Sequence, residues 1–489
     1  MKISRTLLFG FFASLLSVMA VSVSAQDQVT ITYWDYWQTQ GPAVDKIIAD
    51  FEAAHPNINI EKTTQAGGGY NELVTAAFQA GSESTPDVFV IPDGSKMSTY
   101  VASNWFLPLN DLEGFEAWKT SSFEKPDFFF LEGTNTIKGM TYSAPFSPPG
   151  IWIKMFVNTS LYDAAGLVNE DGSYKFPATF DELIENSRII YEKTGKYGIG
   201  FSGTQTWAAG WWLWMCQFST QLWNTGPLPG FDWETGKFAA AEDACANAAL
   251  EGLVTLRDED LVLQDTAALA IDDEGVRVKF AEGEFAHLIA GDWVIAGWEQ
   301  TNPDFKTYRV IPLPLAGVEE RGGGFQYGPG GTWFAIAADT EHPAEAWEFF
   351  KALHSAEAGD IWASMGNGLH INTPKPYDKY ATNEAWADIY KLNEEAVAGP
   401  SQSVLYPDLA QVQVTLQGPT LDDIVMGVFS GQLTDIPAAL ADYDARAQLA
   451  FDQGLADAQA AGLDVKAEYY SPTDWVPTED YEIVMPSGS

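Results

Sequence analysis

Between Val29 and Ile91 the hydrophobic pattern alternates between short β-branched runs and helical stripes, and this alternation constrains the fold more than any other feature. Val29-Thr30-Ile31-Thr32-Tyr33 has the composition of a strand. Pro42 then opens a helix in which Val44, Ile47, Ile48 and Phe51 form one apolar stripe, and His55-Pro56-Asn57 ends it. Ile58-Asn59-Ile60-Glu61 reads as a second strand. Gly67-Gly68-Gly69 breaks the chain, and a helix is expected from near Tyr70, with Tyr70, Leu73, Val74, Ala77 and Phe78 on its stripe. Val88-Phe89-Val90-Ile91 follows as a continuous apolar strand of the kind buried on both faces. The order strand, helix, strand, helix, strand predicts a parallel sheet with helices on both sides. Ligands of such sheets lie beyond the carboxyl ends of the strands. Those ends carry Trp34-Asp35-Tyr36-Trp37, the stretch from Gln65 to Gly69, and Asp93-Gly94.

A chain of 489 residues exceeds one ordinary core, and domains of about 100–200 residues predict two or three units. A second α/β unit is expected from near Ala144, with a strand over Ile151–Val157. Thr179 with Glu182 three residues on is a capping box at a helix start. A tryptophan-dense stretch runs from Trp207 to Trp223, Gly291-Asp292-Trp293 comes later, and Tyr308–Pro314 reads as a linking strand. Helices are expected over Pro343–Leu353, Thr382–Ala398, Leu421–Phe429 and Pro437–Ala461.

The first residues have the three parts of a secretory signal peptide: Lys2 and Arg5, an apolar run from Leu7 to about Ala20, and Val23-Ser24-Ala25. Cleavage is expected after Ala25, giving an exported soluble protein, and no cysteine near that point supports a lipid anchor. With 67 Asp plus Glu against 26 Lys plus Arg, the surface repels nucleic acid and anionic membranes. In an oxidising compartment Cys216 and Cys245 favour a disulfide over two buried thiols, and neither has the spacing of a redox motif or zinc site.

The residues that carry chemistry point to binding. Trp and Tyr combine an apolar plate with a polar handle, which suits the flat C–H faces and polar edges of sugars. Trp34, Trp37, Trp293 and Trp333 stand at strand ends or beside glycines, where a pocket is expected, whereas most of Trp211, Trp212, Trp214 and Trp223 read as packing. Trp207 is a further candidate from the second unit. Asp35, Asp93 and Asp292 offer ionised acceptors for hydroxyl groups, and Gln65, Gly68 and Tyr70 offer amides or a hydroxyl from the second loop. No P-loop follows the glycine-rich stretches near Gly322 and Gly328, no Gly-x-Ser-x-Gly elbow is present, and the five histidines lack metal-ligand spacing. No cofactor or metal is therefore expected. A carboxylate pair for glycoside hydrolysis stays open in so acidic a chain.

The chain resembles the sugar-binding extracellular solute-binding proteins of ABC importers, the group that includes maltose-binding proteins. Five stretches carry the resemblance, in order, over most of residues 29–355. They are Ile31 to Ile60; Gly69-Tyr70 through Gly81 to Val88; Pro108-Leu109-Asn110-Asp111-Leu112; Val157 through Ala165-Gly166-Leu167 to Leu183; and Gly283-Glu284-Phe285-Ala286 with Gly291-Asp292-Trp293 on to Ala346-Trp347-Glu348-Phe349-Phe350. The C-terminal quarter matches loosely, mainly at Gly366 to Asn372 and at Gly427 to Leu440. The resemblance implies a periplasmic binding protein fold, with two α/β lobes, a hinge crossed more than once and a ligand cleft between the lobes. The expected lobes are 26–142 with 312–355, and 143–311 with 356–489, crossed near Thr141–Pro145 and Tyr308–Pro314. It implies that Trp293 stacks on a sugar, that Asp93 is a ligand-binding acid, and that Gly330 and Gly331 let backbone approach the ligand beside Trp333. The implied protein is a monomeric periplasmic component that captures an oligosaccharide or glycoside for a membrane permease and performs no chemistry. A secreted glycoside hydrolase or a polyol-binding protein is the alternative.

Overall fold

The computed structural model describes residues 28–65, 67–81, 84–148, 150–220, 222, 228–323, 325–327, 331–400 and 402–481. The expected signal peptide, Gly330 and Trp223 lie outside them. In chain order the first elements are β1 (Val29–Asp35), α1 (Gly41–Ala54), β2 (Ile58–Thr64), α2 (Gly67–Ala80) and β3 (Val88–Val90). The triglycine, expected to break the chain, is instead the first turn of α2. Next come β4 (Lys154–Asn158), α3 (Phe180–Thr194), β5 (Tyr197–Ile199), α4 (Ala244–Asp258), α5 (Asp273–Ala281), β6 (Phe285–Ala290), α6 (Trp293–Thr301) and β7 (Tyr308–Ile311). After them follow β8 (Phe334–Ile336), α7 (Pro343–Leu353), α8 (Ala356–Ser364), α9 (Glu384–Glu394), α10 (Leu421–Phe429) and α11 (Ile436–Ala460).

Two four-stranded sheets result. The first has the order β8-β3-β1-β2, with β1 parallel to β2 and β3, and β8 antiparallel to β3 through Phe334 opposite Val90. The second has the order β7-β4-β6-β5, with β4 antiparallel to β7 and β6, and β6 parallel to β5. Both sheets are therefore mixed, because a late strand returns to join each one. The expected strand from Ile151 starts only at Lys154, since the side chain of Asn393 accepts the Ile151 N–H at 3.0 Å. The expected helix Thr382–Ala398 is shorter. Asn383 caps α9, and Ala396–Ala398 leaves the helix to pair with Phe325–Tyr327.

Each sheet sits in its own core. Ile31, Tyr33, Phe89, Phe334, Phe350 and Trp362 belong to the first, and Phe156, Leu183, Leu250, Ile295, Trp386 and Phe451 to the second. Cys216 and Cys245 are fully buried in the second core and form a disulfide, with Cα atoms 5.4 Å apart. It fastens the start of α4 to the tryptophan-dense stretch. Asp243 completes a cluster with the two sulfurs, but sulfurs bonded to each other are not thiolate ligands, and Asp243 caps α4 through the Ala246 N–H.

Three histidines are buried in the neutral form. His287 donates from Nδ1 to Gly198 O at 2.8 Å and accepts the Tyr162 hydroxyl at Nε2 at 2.7 Å. His354 donates to Phe350 O at 2.8 Å. His370 donates to Leu353 O at 3.1 Å and accepts the Asn372 N–H at 3.0 Å. Burial pushes their pKa values down to about 4, 4 and 3 respectively. In the unfolded chain imidazole titrates near about 6.5, so only the unfolded chain takes up protons as the pH falls through this window. The stability these residues contribute is whole above pH ~6.5 and is lost as the pH drops towards their folded values. Asp422, pushed up to about 6 by burial and then by Asp423, works in the opposite direction, as do Asp35, Asp243, Asp273 and Asp444, whose pKa values burial also raises. Through the histidines the melting temperature is expected to fall between pH ~6.5 and ~5, before ordinary carboxylates titrate. Thermal melts in a pH series check this, and a His287→Gln variant should flatten part of the fall.

Candidate functional site

Elements of the two cores enclose a cavity of about 660 Å³, within the roughly 300–1,000 Å³ usual for small-molecule sites. The end of β1 builds the first wall. Asp35 is fully buried, and its Oδ1 accepts the Trp37 N–H at 3.2 Å. That bond turns the chain so that Trp37, Gln38, Thr39 and Gln40 line the cavity. Burial raises the Asp35 pKa, an effect larger than the opposing hydrogen bond from Thr64. Trp333 stands at the mouth of β8, its N–H held by Ser143 Oγ at 3.0 Å and its carbonyl accepting the Ile91 N–H at 2.7 Å.

The second wall centres on the β6–α6 junction. A Cβ added at Gly291 would stand 1.9 Å from the Trp293 ring, so glycine there lets the ring fold back over the junction. Asp292 beside it lies 3.8 Å from the Nζ of Lys154, a side chain with 1% exposure. Burial lowers the Lys154 pKa, and Asp292 partly restores it. A polar edge runs from Gln205, which accepts the Asp273 N–H at 2.9 Å, to Arg277, which pairs with Asp273 and Glu274.

Seven tryptophans line the cavity: Trp37, Trp152, Trp207, Trp211, Trp293, Trp333 and Trp362. They make a continuous line of rings. Centroids lie 5.0 Å apart for Trp207–Trp211, 5.9 Å for Trp211–Trp293 and 6.0 Å for Trp293–Trp152. The line passes between the two walls at Trp152–Trp333, 6.3 Å, and continues by Trp333–Trp37, 5.9 Å, and Trp37–Trp362, 4.9 Å. Side-chain amides and carboxylates stand around it, among them Asn71, Gln205, Asp272, Asp292, Asn367 and Asn393. Aromatic plates edged by hydrogen-bonding groups suit a solute with apolar faces and polar rims.

The walls also touch directly. Gln300, at the far end of α6 from Trp293, donates to Thr39 O at 2.6 Å. A Cβ added at Gly297 would lie 3.5 Å from Thr39 Cγ2.

Of the residues singled out in the sequence, Trp37, Trp207, Asp292, Trp293 and Trp333 line the cavity together. Trp34, Asp35, Gln65, Tyr70, Asp93 and Gly331 are not on its wall, and Gly68 is part of the first turn of α2. Tyr70 is buried, and its hydroxyl reaches Val90 O at 2.7 Å and Trp34 O at 3.1 Å, joining the ends of β1 and β3. Asp93 pairs with Lys96 at 3.2 Å. Gly331 O accepts Asn135 Nδ2 at 2.8 Å, and its φ of 147° is a conformation that favours glycine. Trp211, read from the sequence as packing, is on the wall. It follows Trp207 by four residues, hence on one helical face, and that spacing was the available signal. Trp152, Asn367 and Asn393 stand in or beside loops and carry no local signal.

Two α/β lobes, each with its own sheet and core and with an aromatic cavity between them, define a two-lobed solute-binding protein. The chain belongs to the bacterial extracellular solute-binding protein family, whose model matches residues 36–360. It is 23% identical over 356 residues to an uncharacterized ABC transporter extracellular-binding protein of Pyrococcus horikoshii, covering 71% of this chain and 72% of that one. It is 22% identical over 340 residues to the multiple sugar-binding protein of Streptococcus mutans, covering 69% and 74%. Among solved structures, the GacH receptor of Streptomyces glaucescens, determined unliganded and in complex with acarbose, superposes with a TM-score of 0.62 at 19% identity over 88% of this chain and 99% of that one.

Proposed function

We propose that this chain captures a neutral carbohydrate, an oligosaccharide or glycoside, in the cavity between its lobes and delivers it intact to the membrane permease of an ABC importer. The observation that carries the reading is the tryptophan line with its polar rim, because stacked plates and hydroxyl partners are what a pyranose needs. The names of the two relatives support it, one as an ABC transporter binding protein and the other as a sugar-binding protein. The signal-peptide pattern before Ala25 supports export to the periplasm, where the protein acts as a monomer. The lobes join by crossings between Phe146 and Ile151, between Ala316 and Phe334, and between Trp362 and Ala385, on the ground that each pair packs in opposite cores. Hinge closure about these crossings traps the solute.

Calorimetric titration of the mature protein with neutral di- to tetrasaccharides tests the reading, with chromatography of each mixture afterwards. Saturable one-to-one binding with the saccharide recovered intact is expected. Cleaved saccharide would replace the reading with a glycoside hydrolase. Binding of polyols alone would move it to another solute class.

A further inference from the structure

The family match ends at residue 360, yet the cavity continues past it. Asn367, Leu369 and Asn393 line the wall from beyond that match. Asn367 is unusual among them. The residue is 8% exposed, and its Oδ1 has no hydrogen-bond partner among the described residues. Its backbone is fixed: the N–H donates to Trp362 O at 3.2 Å. It stands between Gly366 at φ 74° and Gly368 at φ 88°, both in the left-handed region that glycine tolerates. Each glycine is closely faced by the second lobe, since a Cβ would meet Glu299 at 2.6 Å and Asp292 at 2.9 Å. The loop therefore presents Asn367 to the cavity on a backbone with little room to shift.

Buried acceptors without partners are rare, because leaving one unpaired costs free energy. On the same wall the indole Nε1 of Trp333 is a buried donor that also lacks a partner. Arg277 Nε, also on the lining, is a second such donor, so among the described residues the cavity offers one buried acceptor and two buried donors that a ligand can satisfy. A hydroxyl-bearing ligand does both, since hydroxyls donate and accept; an ammonium cannot accept, and a carboxylate cannot donate.

We infer that Asn367 is a specificity-determining ligand contact whose Oδ1 accepts a hydrogen bond from a hydroxyl of the bound solute, with Trp333 Nε1 donating to an oxygen of the same solute. This rests on the carbohydrate reading above and deepens it. The family-matched region supplies six of the seven cavity tryptophans, and the segment after α8, beyond that match, selects which hydroxyl pattern stacks there.

The test uses the full mature protein and titrates maltotriose, raffinose and xylotriose, followed by monodeoxy analogues of whichever binds tightest. Asn367→Leu is expected to weaken that probe by about ten- to a hundredfold. The ligand-free variant should melt at or above the wild-type temperature, because it removes an unsatisfied buried acceptor. Asn367→Asp keeps an acceptor and should bind more tightly than Asn367→Leu. One monodeoxy analogue should cost the wild type as much as Asn367→Leu does, and should cost that variant nothing more. Binding by Asn367→Leu within about twofold of wild type would overturn the inference while leaving the carbohydrate reading in place. So would a large drop in ligand-free melting temperature that accounts for the lost binding. If the wild type binds none of the saccharides, the carbohydrate reading falls and this inference falls with it.

Discussion

Trp293→Ala is expected to weaken saccharide binding by about fifty- to a hundredfold, the largest loss of affinity from any single substitution in the cavity. Trp293 is central in the ring line, touching Trp211 at 5.9 Å and Trp152 at 6.0 Å. Its ring lies over Gly291, the one position in that turn where a Cβ would collide with it. Stacking on one face covers about 100 Å² of apolar surface, and at ~25 cal/mol per Å² this gives roughly 2.5 kcal/mol. That energy corresponds to about seventyfold in Kd. Trp293 is only partly buried in the ligand-free protein, so the melting temperature should change little. Trp293→Phe keeps a smaller plate and should fall between wild type and alanine. Calorimetric titration of the three proteins with one saccharide checks the order. A loss below about threefold for alanine would show that the ligand does not lie on this ring.

The largest loss of stability is expected from the pair Cys216→Ala with Cys245→Ala. The disulfide closes a loop of sequence separation 29 within the second core. By the chain-entropy model, freeing that loop in the unfolded state costs roughly 3–4 kcal/mol. Both positions are fully buried, so the lost sulfur packing adds to the cost. The loop begins five residues after Trp211, which lines the cavity. Denaturant melts of variant and wild type measure the difference. Saccharide affinity well below the melting transition should stay within a few fold of wild type, because neither sulfur touches the cavity. Equal stability would show that the bond does not form in the exported protein.

Local pattern made the first lobe legible and left the cavity only partly so. The stripes of α1 and α2, the capping box at Thr179 and Glu182, and the helices α7 and α10 are written in short-range periodicity, and the chain folds as they dictate. The return of β8 to lie antiparallel beside β3 is not, because nothing near Phe334 records a partner so distant in sequence. The same division runs through the site. The end of β1 leads to the cavity, but the turn formed by Asp35 sends Trp37 to the wall and leaves Asp35 beneath it. Tyr70 shares the buried stripe of α2 with Val74 and Ala77, so its own periodicity placed it inside the lobe. Trp152 and Asn367 gain their positions only when the two lobes face each other, and single-segment reasoning cannot supply that.

The central claim, that a saccharide is held where the two lobes meet, is tested most directly by a cross-link across the mouth of the cavity. A Cβ at Gly297 would lie 3.5 Å from Thr39 Cγ2, within the reach of a disulfide. The chain's two native cysteines are already bonded to each other, so Thr39→Cys with Gly297→Cys introduces the only free thiols. The pair is expected to oxidise faster when the tightest-binding saccharide is present, and the cross-linked protein should release that saccharide at least about tenfold more slowly. Oxidation that the saccharide leaves unchanged or slows, or a cross-linked protein that releases it as fast as wild type, would contradict the account.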